Sequence, residues 1–204
     1  MTVDLLCLVA DKNMEAAISG LLSQPTRLGI GPVSHRTIVH PERDPGCFLR
    51  GPEFLRGFQS EAAHALIMLD HAWAGAPVGP GEEMESDLEA QLGRIGMEGW
   101  ARAVVIEPEL EAWVFAESGQ VATTLGWPGT YSGLRDILSS RGYWPSGHPK
   151  PADPKAAMEW VLRYSRLARS SSVYRELAGN VSTQRCTDRA FVRFRQILQE
   201  WFPT

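Results

Sequence analysis

The chain's 204 residues, 44% of them hydrophobic, suffice for one sizeable core with a small appendage, and a charged fraction of 22% excludes wholesale disorder. The net charge of −4 hides a split: residues 1–140 hold 9 Lys+Arg against 19 Asp+Glu, a balance of −10, while residues 141–204 hold 11 against 5, a balance of +6. No apolar run reaches the ~20 residues of a membrane span, and the start "MTVDLLCLVADKNM" lacks the basic segment of a signal peptide, so a cytoplasmic protein with no membrane contact is expected.

In chain order, "VDLLCLV" (3–9) is a continuous apolar run, the pattern of a strand buried on both faces. "ADKNMEAAISGLL" follows as a helix, capped by Asp11 or Asn13. "SHRTIVH" (34–40) is a second strand. "PERDPGCFLRG" (41–51) reads as a loop, and "PEFLRGFQSEAA" (52–63) as a helix with Pro52 in its first turn. "HALIMLD" (64–70) is the clearest strand and ends in Asp70. A Gly/Pro/Ala loop (71–81) leads to an amphipathic helix (82–96) and then to the strand "WARAVVI" (100–106). Beyond residue 117 only helices are expected: "TYSGLRDILSSRG", "DPKAAMEWVLRYSRL", "SSSVYRELAGNV" and "TDRAFVRFRQILQEWF". Alternating strands and helices predict an α/β core with a mainly parallel sheet over 1–117, and a helical extension over 118–204 packed on it.

Ligands of open α/β sheets gather beyond the carboxyl ends of the strands. Acids recur there: Asp11 and Glu15 after the first strand, Asp70 at the end of the third, and Glu107, Glu109 and Glu111 after the fourth. If a helix opens at Pro108, Glu107 and Glu111 lie about one turn apart and face Asp70 together, while Glu109 points away. Clustered carboxylates suit Mg²⁺, or Mn²⁺ in its place. The competing explanation is that first-turn glutamates simply favour the helix dipole.

The segments "LVADKNMEAAI", "LIMLDHAW" and "VVIEPELEAWVFA" resemble Toprim-fold proteins of prokaryotic defence loci, the branch related to OLD-family and RloB-type nucleases. "KPADPKAAMEWVL" and "RCTDRAF" extend the resemblance into the tail, and "IEPELEAW" is its most specific piece. The association reaches to a small component of methylation-associated defence systems. The resemblance implies a Toprim-like core, an acidic Mg²⁺ site and nuclease chemistry on nucleic acid. It implies Asp70, Glu107 and Glu111 as catalytic acids, with Asp11 or Glu15 completing the ligand set. Two positions depart from the family pattern: Ala10 stands where its first Glu is expected, and Asp70-His71-Ala72 replaces Asp-x-Asp. The main alternative is therefore an inactive subunit that binds protein partners in a defence complex, and a third reading is a small nucleotide- or RNA-binding module.

The basic tail is explained either by an anionic partner or by attraction to the acidic body. Lys150, Lys155, Arg185 and Arg189 are the expected nucleic-acid contacts, and Arg185, Arg189 and Arg193 recur every fourth residue on one helix face. Phe191, Phe194, Leu198 and Trp201 form the opposing apolar stripe. Cys7, Cys47 and Cys186 are odd in number and lack metal-ligand spacing, so reduced thiols are expected.

Overall fold

The computed structural model describes residues 2–180, 183 and 186–204. Four strands, β1 (Val3–Val9), β2 (His35–Val39), β3 (Ala62–Asp70) and β4 (Ala101–Ile106), form one sheet in the order β2-β1-β3-β4, all parallel. The continuous apolar runs explain their central place: Leu5 to Val9, Ala65 to Leu69 and Ala103 to Ile106 are fully buried or nearly so. Helices flank the sheet, an architecture consistent with a Toprim-like core.

Register brings the strand ends to one rim. Val9 lies opposite Val39 on one side and Met68 on the other, and Asp70 lies opposite Ile106. Ala10 and Asp11, His40, Asp70 and Glu107 therefore leave the sheet at the same edge. The chain runs from β1 outward to β2 and from β3 outward to β4, so the switch in direction falls between β1 and β3.

Helix α1 (Lys12–Leu22) starts at Asp11, whose carboxylate accepts from the amides of Asn13 and Met14 at 2.9 and 2.8 Å. After a short α2 (Pro25–Leu28) and β2 comes α3 (Arg43–Leu55), where the sequence pattern had suggested a loop and a later helix. The burial of Cys47, Phe48 and Leu55 outweighs the weak helix propensity of "RDPG". Pro45 lies near the start of α3, where a missing amide hydrogen is tolerated, and Pro52 falls inside the helix. Helix α4 (Gly81–Arg94) joins β3 to β4 and packs on β4 and on α3.

The remaining helices are α5 (Glu111–Val114), α6 (Gly119–Thr124), α7 (Tyr131–Ser140), α8 (Pro154–Tyr164), α9 (Ser171–Asn180) and α10 (Arg189–Trp201). Thr130, Asp153 and Asp188 cap α7, α8 and α10. Helix α9 lies across α1 so closely that a Cβ on Gly20 would meet the carbonyl oxygen of Arg175 at 2.5 Å. Helix α8 packs on α5, and α10 packs on β4 and sets its buried Phe191 and Phe194 against Trp113. Cys7, Cys47 and Cys186 are free and buried. No helix among the described residues is long and apolar enough to cross a membrane.

The outer edge of β4 is covered by charged side chains in place of a further strand. The amide of Val105 donates to Glu85 (2.8 Å) and its carbonyl accepts from Arg189 (2.7 Å). The amide of Ala103 donates to Glu89 (3.3 Å) and its carbonyl accepts from Arg193 (2.9 Å). Glu85 also pairs with Arg189 and Arg193, and Arg193 with Glu89. Edge strands left open invite pairing with other chains, and this arrangement closes the edge. Glu85 is only 2% exposed. Glu85→Ala leaves the Val105 amide without its acceptor and takes one carboxylate from each of Arg189 and Arg193, and is expected to destabilise the fold by about 2 kcal/mol, read as a lower urea midpoint. Glu89→Ala, at a more exposed position, should cost less.

Candidate metal centre at the sheet rim

Asp70, Glu109 and Glu111 each present a carboxylate oxygen within 4.8 Å of the others. Asp70 ends β3. Its amide donates to Asp44 at 2.8 Å, and its Oδ1 accepts from the Leu110 amide at 2.9 Å. The second bond folds the segment after β4 back over the rim and delivers Glu109 and Glu111. Glu109 accepts from the amide and the ammonium of Lys155, at 3.2 and 3.3 Å. Glu111 accepts from Arg169 at 2.7 Å and from the hydroxyl of Tyr174. Arg169 also donates to Tyr174 and Glu159.

The expected pairing of Glu107 with Glu111 is therefore corrected. Residues 107–110 are not helical, and α5 begins only at Glu111, so no helical turn separates the two glutamates. Glu107 faces Arg189 at 3.8 Å, away from Asp70, and Glu109 takes the place expected for it. Glu15 is also apart from the cluster, in a surface pair with Lys12. Asp11 lies near enough to Asp44 and Asp70 to raise the pKa of both, while its carboxylate caps α1.

Among the expected nucleic-acid contacts that fall within the described residues, Lys155 alone borders the rim, with its side chain 45% exposed. Lys150 pairs with Asp188 at 3.0 Å, and both side chains are largely buried. Arg189 is spent on β4, Glu82 and Glu85. Arg185 lies outside the described residues. His71 ties the following loop down through its Nε2 to the carbonyl of Gly79 (2.8 Å), which accounts for it as a loop residue.

Sequence reasoning missed Asp44, and it offers Arg169 only as one of several cations that could track a phosphate backbone, not as the partner of Glu111. Asp44 follows β2 as the other acids follow β1, β3 and β4. An acid sought after every strand, and not after three of them, finds it in "HPERD". Nothing local marks Arg169, which reaches Glu111 from 58 residues away.

The electrostatics are unbalanced. Glu109 and Glu111 have cations, whereas Asp11, Asp44 and Asp70 form no ion pair among the described residues. Burial raises the pKa of Asp70 well above the usual carboxylate range, and Asp44, Glu111, Asp11 and Glu109 raise it further. Burial likewise raises Asp44, with Asp11 adding to it. Glu109 is raised by burial and by Glu111, against the pull of Lys155. Burial disfavours the Lys155 ammonium, but Glu109 and Glu111 outweigh it and keep the group charged.

Comparison with known protein families, with curated proteins and with solved structures gave no match to this chain.

A raised native pKa means that folded Asp70 holds its proton at pH values where the unfolded chain has lost it. Stability then falls as pH rises from about 3.9, the unfolded value, through the native pKa. Asp70→Asn keeps the acceptor for Leu110 and removes the charge. In metal-free buffer at pH 7 its melting temperature should exceed wild type by at least about 3 °C, the effect of roughly 1 kcal/mol in a chain of this size. The gap should close as pH approaches 4 in scanning calorimetry.

Proposed function

We propose that the chain is a Toprim-like, divalent-metal-dependent phosphodiesterase that acts on nucleic acid in a prokaryotic defence setting. The observation that carries this reading is the convergence of Asp70, Glu109 and Glu111 within 4.8 Å, where Asp70 is without a cation. The parallel sheet supplies the place: all three lie beyond strand carboxyl ends, next to the switch between β1 and β3.

The residues present fit Mg²⁺ or Mn²⁺. All three donors are hard carboxylate oxygens. Asp70 Oδ2 and Glu111 Oε2 take no hydrogen bond among the described residues, so each keeps an oxygen to offer. When bound, such a cation polarises a phosphoryl oxygen and lowers the pKa of a coordinated water. Tyr174 and Arg169 fix the carboxylate of Glu111, and the Leu110 amide fixes that of Asp70. Lys155 and Arg169 face both the acids and an adjoining open cleft, where they would neutralise a phosphate backbone.

A second reading has its own support. Glu109 and Glu111 already carry cations, and Ala72 stands where the second aspartate of Asp-x-Asp would be. Those features favour an inactive subunit that uses the same fold to assemble with protein partners in a defence complex.

Cleavage of single- and double-stranded DNA and RNA, with Mg²⁺, Mn²⁺ or EDTA, separates the two. Metal-dependent cleavage is expected, reduced at least about 100-fold in Asp70→Asn and Glu109→Gln and retained in Glu107→Gln. No cleavage of any substrate, together with a melting temperature indifferent to both metals, would leave the scaffold reading.

A further inference from the structure

Beside the acids lies an open cleft of about 440 Å³, bordered by the turns after β1 and β2 and by Lys155 and Arg169. Its volume is that of a small-molecule site, about 300–1,000 Å³. The turn His40–Arg43 closes one end, with the amide of Arg43 bonded to the carbonyl of His40 at 3.0 Å.

His40 is 4% exposed, yet it lines this cleft. Its Nδ1 accepts from the Glu42 amide at 3.1 Å, which places the ring proton on Nε2. That N–H has no partner among the described residues. The nitrogen is not one of the enclosed side-chain atoms that lack a partner, so it is reached by solvent, and with the ring lining the cleft it is free to donate to a ligand there. The chain makes room for the ring deliberately: a Cβ on Gly46 would meet His40 Nδ1 at 2.1 Å. The ring is also held against Phe54, with centroids 5.0 Å apart.

Arg43 lines the same cleft and forms no ion pair among the described residues. Its φ of 53° is uncommon for a residue other than glycine. The other cations of the cleft, Lys12, Lys155 and Arg169, each already meet a glutamate. The carboxylate of Asp11 is engaged with the α1 amides. The groups free to meet a ligand are thus one guanidinium and one imidazole N–H, with further cations at the border. This donor set matches a phosphate monoester, which carries more charge than the diester of an internal backbone position.

The geometry points to a binding site for a terminal phosphate monoester, on a nucleic-acid strand or a free nucleotide, formed by His40 and Arg43 beside the acidic rim. It rests on the proposed nucleic-acid function for its substrate class and adds that the chain is engaged at its end.

The test is equilibrium binding in EDTA, so that no turnover occurs. Fluorescence anisotropy would compare a labelled single strand bearing a 5′-phosphate, a 3′-phosphate or neither. One phosphorylated strand should bind about tenfold tighter than the unphosphorylated one. That preference should vanish in Arg43→Gly, which suits the positive φ, and in His40→Phe, which keeps the ring against Phe54. Melting temperatures confirm that both variants fold. Competition by AMP but not adenosine assigns the site to nucleotides as well as strands, and no competition by AMP assigns it to strand ends. Equal binding of all three strands, or a preference unchanged in both variants, overturns the proposal. A phosphate preference retained by a protein that cleaves nothing would sink the catalytic reading alone.

Discussion

Every carboxylate taken out of water in this molecule must meet a cation or a set of hydrogen bonds, and the fold is arranged around that requirement. The acidic α/β body cannot meet it alone, and the basic tail completes it. Lys155 reaches Glu109, Arg169 reaches Glu111, and Arg189 and Arg193 reach Glu85. The split between a body of −10 and a tail of +6 is thus used substantially within the chain. Attraction between the two parts accounts for Arg189 and Arg193, while Lys150 pairs within the tail, with Asp188.

The same requirement isolates Asp70. Parallel strands in register deliver Asp70 to the rim where Asp11, Asp44, Glu109 and Glu111 also converge, but the tail sends cations only to the two glutamates. Asp70 is left with amide contacts and a raised pKa. Such a group destabilises the folded chain at neutral pH unless a ligand neutralises it, which is why the function is proposed here and not at the balanced pairs along β4.

The strands were legible because a buried parallel strand must be apolar on both faces, and the acids at their ends stood out against those runs. Asp11, Asp70 and Glu111 could be placed on this basis. The Glu107–Glu109 exchange could not, because it depends on the Leu110 amide bonding to Asp70, a contact spanning 40 residues. The start of α3 was hidden by Pro45 and Gly46, whose poor helix propensity is overcome by burial of the following turn. The roles of Lys150 and Arg189 were invisible for a similar reason: a basic residue on an amphipathic helix looks the same whether it meets solvent, phosphate or a strand edge.

The central claim is that the charge left at the rim is the seat of a divalent cation. Crystals grown with Mn²⁺ and measured at its absorption edge test it most directly. The account predicts an anomalous peak bounded by Asp70, Glu109 and Glu111, with Glu107 still on Arg189. A rim without anomalous density at millimolar Mn²⁺, or a peak on Glu107 and Glu82 instead, would contradict it.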